Sequence, residues 1–242
     1  MVFFAETNMV LHKIISFVLL TYMTISFSQP SLDQLGVSCQ TDKSSIHHNY
    51  LPTYQKYLES YRNQSFRFLE IGFWKGASAR MWQAYFPLAT LHFIDNDPKF
   101  LSIAKELTSR CKLFILDQSN ARELQAFLQR NGGNYDVIID DGGHSMKQQM
   151  VSFNVLFPHL KSGGIYIIED LHTSYHPQYI DDKVKTTDFL KSLVDDLNHI
   201  GFINWCADHN KCPTSLKAGL SIYQTQIAAI HFYSSICIIE KR

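Results

Sequence analysis

Asp140-Asp141-Gly142-Gly143-His144 and Glu169-Asp170-Leu171-His172 are the two stretches of this chain whose residue types and spacing can do chemistry. Carboxylates hold hard divalent cations, and an imidazole moves protons near neutral pH. Each stretch follows directly on an apolar run, Val137 to Ile139 before the first and Ile165 to Ile168 before the second. Buried strands that stop at carboxylates are what a parallel α/β sheet presents at its ligand-binding edge. The two clusters therefore predict a metal or catalytic site at strand ends.

A third stretch, Glu70-Ile-Gly72-Phe-Trp-Lys-Gly76-Ala-Ser78, closes the run Phe66 to Ile71. Its Gly-x-x-x-Gly turn lets backbone pass close to a ligand, and Asp95, ending the next apolar run, can hold a ribose diol. Dinucleotide sites use Gly-x-Gly-x-x-Gly, with a helix N-terminus facing a pyrophosphate. That spacing is absent, and so is an obvious Tyr-x-x-x-Lys acid pair, which disfavours a nicotinamide oxidoreductase. Asp117-Gln118 ends the following run, Leu113 to Leu116.

Strands and helices must alternate to bring these ends together. Strands are predicted at Phe66–Ile71, Leu91–Ile94, Leu113–Leu116, Tyr135–Ile139 and Ile165–Ile168, each separated by a helical pattern. Pro98 marks one helix start, while Gly132-Gly133 and Pro158 mark helix ends. Five alternations imply a doubly wound, Rossmann-like sheet with right-handed crossovers. Ile227–Phe232 and Ile236–Ile239 flank Tyr233-Ser234-Ser235 and predict a hairpin at one sheet edge. Tyr50–Tyr61 carries apolar residues at helical spacing and reads as a cap. The section 173–220 reads as an irregular substrate loop, with Tyr175 and His176 lining it. Trp74 and Trp82 read as packing residues, and His172 as part of loop structure.

The Glu-x-Gly-x-x-x-Gly turn with Asp95 and Asp117 resembles the class I S-adenosylmethionine-dependent methyltransferases. Asp-Val-Ile-Ile-Asp-Asp-Gly-Gly-His144 and Gly-Gly-Ile-Tyr-Ile-Ile-Glu-Asp-Leu-His-Thr-Ser-Tyr175 narrow the likeness to the macrocin-type sugar O-methyltransferases, as do Thr41-Asp-Lys43 with His47 and Tyr50, and Ile230-His-Phe-Tyr233 to Ile239-Glu-Lys241. The likeness covers roughly residues 41–241 and implies a mostly parallel seven-stranded sheet. It implies donor binding at Glu70, Gly72, Gly76, Ser78, Asp95, Asp117, Gln118 and Asp140. Within that set the acid at Asp95 would take the ribose, Asp117 and Gln118 the adenine, and the glycine loop the methionine portion. It also implies magnesium at Asp141, Glu169 and Asp170, with His144 as the catalytic base. The expected reaction is methyl transfer from S-adenosylmethionine to a hydroxyl of a sugar, glycoside or related polyol. The second reading is a secreted, non-catalytic protein that retains the fold.

With 242 residues, 45% of them hydrophobic, the chain fits one α/β domain with a filled core. Its 22 basic and 22 acidic side chains cancel, leaving no basic field to attract nucleic acid. Oligomeric state stays open. Residues 1–28 have the layout of a secretory signal peptide: His12-Lys13, then an apolar stretch from Ile14 to Phe27 that is shorter than a membrane span requires. Met9 offers an alternative start. A retained membrane anchor is the second choice, and residues 29–242 then form the methyltransferase domain. Among five cysteines there is no Cys-x-x-Cys pair, and Cys206 and Cys212 lie close enough for a disulfide. Asn63-Gln-Ser65 is a glycosylation sequon for a chain in the secretory pathway.

Overall fold

The computed structural model describes residues 29–209 and 219–242. The expected leader and Cys212 lie outside the described residues. Leu32–Arg242 forms one compact unit.

One seven-stranded sheet organises this unit: β1 (Arg67–Ile71), β2 (Thr90–Asp95), β3 (Cys111–Ile115), β4 (Tyr135–Asp140), β5 (Leu160–Ile168), β6 (Ile227–Tyr233) and β7 (Ile236–Lys241). The strand order is β3-β2-β1-β4-β5-β7-β6. β1 to β5 run parallel, and β7 joins β5 and β6 antiparallel. The expected hairpin is therefore present at one edge, with β6 outermost and β7 tucked inside it. Ser235, at φ 65, supplies the left-handed turn residue that the sequence offered no glycine for.

Successive strand residues point to opposite faces. Phe68, Phe93, Val137, Ile139 and Ile167 pack beneath α1 (Leu32–Cys39), α2 (Leu51–Leu58) and α3 (Ala77–Tyr85). Leu69, Ile71, Ile94, Ile138, Tyr166 and Ile168 pack on the other face, beneath α5 (Ala121–Asn131), α6 (Met146–Leu156) and α7 (Thr186–Asp208); α4 (Leu101–Ala104) is a single turn after Pro98. Caps set the helix starts: Asn120 accepts from Arg122 N–H, and Ser145 and Gln148 form a reciprocal box at the head of α6. At the other end of the sheet, Lys241 Nζ donates to the carbonyls of Phe157, Pro158 and Leu160 and ties the C-terminal strand to the turn before β5.

Two regions depart from the sequence reading. Residues 29–45, largely polar and with no helical pattern drawn from them above, hold α1, because Leu32 is buried and Gly36 packs closely on Leu51 and Met81. Residues 173–220, read as irregular, hold the 23-residue helix α7. Polar residues dominate its surface, yet Leu190, Leu193, Ile203 and Cys206 are buried, so tertiary packing overrides the weak pattern. No helix among the described residues is long and apolar enough to cross a membrane.

Candidate active site

Strand register brings the site together. Ile71 pairs with Asp140, and Asp140 with Ile168. The next residues, Gly72, Asp141 and Glu169, therefore emerge side by side. Backbone bonds continue the ladder one step further: Gly72 N–H donates to Ile94 O at 2.8 Å, Asp141 N–H to Ile71 O at 3.0 Å and Glu169 N–H to Asp140 O at 3.0 Å.

The glycine loop needs its glycines. Gly72 has φ 94, and a Cβ there would lie 1.9 Å from the Asp141 carbonyl oxygen. Gly76, at φ 72, is the left-handed residue from which α3 starts. Asp95 holds the loop: its Oδ2 accepts the Phe73 and Trp74 N–H groups at 2.9 and 3.0 Å, and its Oδ1 accepts that of Asp97. Asp95, Gly72 and Gly142 each line two adjoining cavities, of about 70 and 280 Å³.

The smaller cavity is also lined by Asn96, Asp117, Gln118 and Gln148. Asp117 accepts the N–H and hydroxyl of Ser119, while Gln118 accepts Gly143 N–H at 2.9 Å and donates to Asp140 Oδ1 at 3.0 Å. The larger cavity holds Asp42, Trp74, Ser78, Asp141, His144 and Asp170 on its walls. Of the expected donor-binding residues, Gly72, Ser78, Asp95, Asp117 and Gln118 thus reach these cavities.

Gly76 lines neither cavity, and nor do Glu70 and Asp140. Both are fully buried, because strand alternation turns them into the packed layers instead of the cleft. Glu70 accepts Ser78 Oγ–H at 2.8 Å and Trp82 Nε1–H at 3.1 Å; burial lifts its carboxyl to about 7, despite Lys43 nearby. Asp140 lies beneath the sheet with Gln118 and Tyr166, and burial lifts it to about 7 also, despite the Gln118 hydrogen bond. From there Glu70 braces the start of α3 through Ser78 and Trp82, and Asp140 braces Gln118, behind the residues that line the cavities.

Asp141, His144 and Asp170 each offer one ligand atom, and these atoms lie within 4.8 Å of one another. His144 Nε2 stands 3.5 Å from Asp170 Oδ2, and its buried Nδ1 has no hydrogen-bond partner. Two carboxylates and an imidazole, half-buried and facing one point, suit a divalent cation. His144 and Asp170 both adopt left-handed backbone, φ 59 and 56, a strained conformation that costs about 1–3 kcal/mol each and persists where surroundings enforce it. Thr173 supplies part of that enforcement, its hydroxyl meeting the carbonyls of His144 at 2.9 Å and Asp170 at 2.8 Å.

Glu169, the third expected ligand, is not in this group. Its Oε1 accepts from Lys43 Nζ at 2.7 Å and from Tyr54 Oη at 2.6 Å. The competing partner is a buried lysine that also binds Asp141 Oδ2 and lies 3.5 Å from Glu70. Burial opposes charge on Lys43 but is outweighed by Asp141, Glu169 and Glu70, which raise its ammonium well above the usual lysine range. Sequence reasoning placed Thr41-Asp-Lys43 in a motif without giving Lys43 a site. The same holds for Tyr50, and Tyr54 lies within the stretch read only as a cap; their hydroxyls reach Asp170 and Glu169.

Trp82 is buried as a packing residue, whereas Trp74 is 67% exposed at φ 47 on the wall of the larger cavity. His172 donates to or accepts from Ser235 Oγ at 2.6 Å in the turn, near Asp170. Tyr175 lines a separate apolar cavity of about 480 Å³ with Phe232 and Tyr233, and His176 packs on Tyr179. Cys39, Cys111, Cys206 and Cys237 are free thiols among the described residues.

Residues 69–171 match the methyltransferase domain family. The chain is 31% identical over 226 residues to the mycinamicin VI 2''-O-methyltransferase of Micromonospora griseorubida, covering 88% of this chain and 53% of that protein. It is 31% identical over 227 residues to the demethylmacrocin O-methyltransferase of Streptomyces fradiae, with 88% and 54% covered. Among solved structures, the mycinamycin-pathway methyltransferase MycE, in complex with Mg and SAH, superimposes with a TM-score of 0.75 at 30% identity, covering 88% of this chain and 54% of that one. The chain therefore spans about half the length of the curated relatives it matches.

Strand order, glycine loop and matched domain define a class I methyltransferase fold. Within that class the chain is similar to the mycinamicin VI and demethylmacrocin O-methyltransferases. The reading of a non-catalytic protein finds no support among these relatives.

Proposed function

We propose that the protein moves a methyl group from S-adenosylmethionine to a hydroxyl of a sugar, glycoside or related polyol, assisted by magnesium. The observation that carries this reading is the convergence of Asp141, His144 and Asp170 within 4.8 Å on a cavity shared with Gly72 and Asp95. Relatives named as O-methyltransferases acting on mycinamicin VI and demethylmacrocin support it. On the leader's layout, the chain enters the secretory pathway; N-terminal sequencing of the mature protein tests that.

A hydroxyl is a poor nucleophile because it keeps its proton far above neutral pH. Asp141 and Asp170 would hold a divalent cation, whose chemistry there would be Lewis-acid stabilisation of the deprotonated oxygen. The sulfonium donor supplies an activated methyl group. Everything else falls to side chains. His144 lines the cavity with its Nδ1 buried, which leaves Nε2, 3.5 Å from Asp170 Oδ2, as the ring atom that would take the hydroxyl proton. Gly72 and the Asp95-braced loop admit the donor's backbone-close portion, while Asp117 and Gln118 border its smaller chamber. Holding both reactants in one walled cleft replaces a bimolecular encounter by a positioned one.

The test incubates the chain with labelled methyl donor, Mg²⁺ and an array of glycosides. Label should appear in an ether, and His144→Ala should abolish turnover while still binding S-adenosylhomocysteine. Full turnover by that variant would refute the assigned base.

A further inference from the structure

Lys43 comes from the segment before α2, far from the sheet in sequence, yet its ammonium sits among carboxylates at three strand ends. It bonds Asp141 Oδ2 and, at 2.7 Å, Glu169 Oε1, and lies 3.5 Å from Glu70; the side chain is 1% exposed. Its backbone is equally fixed, since its carbonyl accepts the N–H groups of Tyr50 at 2.9 Å and Leu51 at 3.2 Å. Tyr50 and Tyr54, from the same cap, donate to Asp170 at 2.7 Å and Glu169 at 2.6 Å. Three side chains of one N-terminal segment thus grip three carboxylates from two strand ends.

We propose that Lys43 is a positioning residue for the cation site, fixing the Asp141 carboxylate so that it faces His144 and Asp170, and that the cap spanning residues 41–54 is mechanically part of that site. This rests on the reading of Asp141 and Asp170 as cation ligands. The physical ground is general: a carboxylate that ligates a metal has rotational freedom unless a donor behind it holds one oxygen. Partners of this kind typically contribute 10–100-fold in metal affinity. Lys43 also supplies a fixed positive charge among Glu70, Asp141 and Glu169, which would otherwise face one another unpaired in a buried layer.

The test measures Mn²⁺ affinity by calorimetry and by the electron spin resonance of the free ion, without acceptor or turnover. Lys43→Met should weaken Mn²⁺ binding about 10–100-fold, while S-adenosylhomocysteine affinity stays within about 3-fold. Lys43→Gln, which keeps a donor, should fall between it and wild type. A merely structural lysine would lower thermal stability and leave Mn²⁺ affinity in the folded protein unchanged; that outcome, or tighter binding, overturns the proposal. Wild-type protein tests the coupling without any variant: by linkage, Mn²⁺ should slow amide exchange across residues 41–54. Unchanged exchange there also overturns it. Wild type that binds no Mn²⁺ at all sinks the cation reading itself, a result distinct from equal binding by wild type and variants.

Discussion

Gly72→Ala isolates the closest approach in the site. A methyl group at this position would sit 1.9 Å from the Asp141 carbonyl oxygen and 3.2 Å from Gly142 Cα, where real contacts do not fall below about 3 Å. The two strand ends are pinned by the Gly72 to Ile94 and Asp141 to Ile71 backbone bonds, so the glycine loop and the Asp141 loop must part by more than about 1 Å. Alanine at φ 94 adds left-handed strain of about 1–2 kcal/mol, and forcing the loops apart adds about 1–3 kcal/mol. Gly163→Ala is the control. Gly163 has φ 76 with nothing within 4 Å of its absent Cβ, so only the strain applies, about 1–2 kcal/mol. At about 2–4 °C per kcal/mol for a chain of this size, Gly72→Ala should lower Tm by about 4–20 °C and Gly163→Ala by about 2–8 °C. Differential scanning calorimetry reads the stability. Titration with S-adenosylhomocysteine should show at least about 10-fold weaker binding for Gly72→Ala alone, since a displaced loop loses about 1.4 kcal/mol or more of contact. Equal Tm losses and equal ligand affinities in the two variants would refute the close-packed loop.

Two further outcomes follow from the geometry. Thr173→Val removes the hydroxyl that joins the His144 and Asp170 carbonyls; a loss of about 1–2 kcal/mol in urea denaturation is expected, with weakened Mn²⁺ affinity, and unchanged affinity would separate Thr173 from the site. His92 is buried on β2 against Phe114, Phe127 and Tyr135, and burial, helped by Arg67 and Lys112, lowers its imidazole to about 4. The folded state therefore resists a proton that the unfolded chain takes up near 6.5. Its stabilising effect is complete above about pH 6.5 and is lost as pH falls toward 4, with an upper bound of about 3 kcal/mol and about 1–2 kcal/mol after screening. His92→Phe should flatten the stability profile between pH 6.5 and 4; a profile as steep as wild type would remove His92 as the cause.

Apolar runs closed by acids or glycine carried the fold in the sequence, because buried parallel strands need both. Five strands, the edge hairpin and the neighbouring placement of Gly72, Asp95, Asp141, His144 and Asp170 could all be read that way. Which of two consecutive acids faces the cleft could not. Asp140 and Asp141 differ by one residue and hence point to opposite sides of the sheet, so one is buried on Gln118 and the other meets His144. Glu169 and Asp170 divide likewise, through a lysine more than a hundred residues upstream, which no local pattern connects to them. Trp74 looked like packing because aromatic residues usually are, but its left-handed backbone turns it outward. Helix α7 was hidden because its buried residues are few and widely spaced along 23 residues.

The central claim is that strand ends β4 and β5 share one cation beside the donor cleft. Anomalous diffraction from crystals of the protein grown with Mn²⁺ and S-adenosylhomocysteine tests it directly. A single peak bridging the Asp141 and Asp170 carboxylates, next to His144, is the result predicted. A peak at other residues, or none while the nucleoside sits between Gly72 and Gln118, would contradict it.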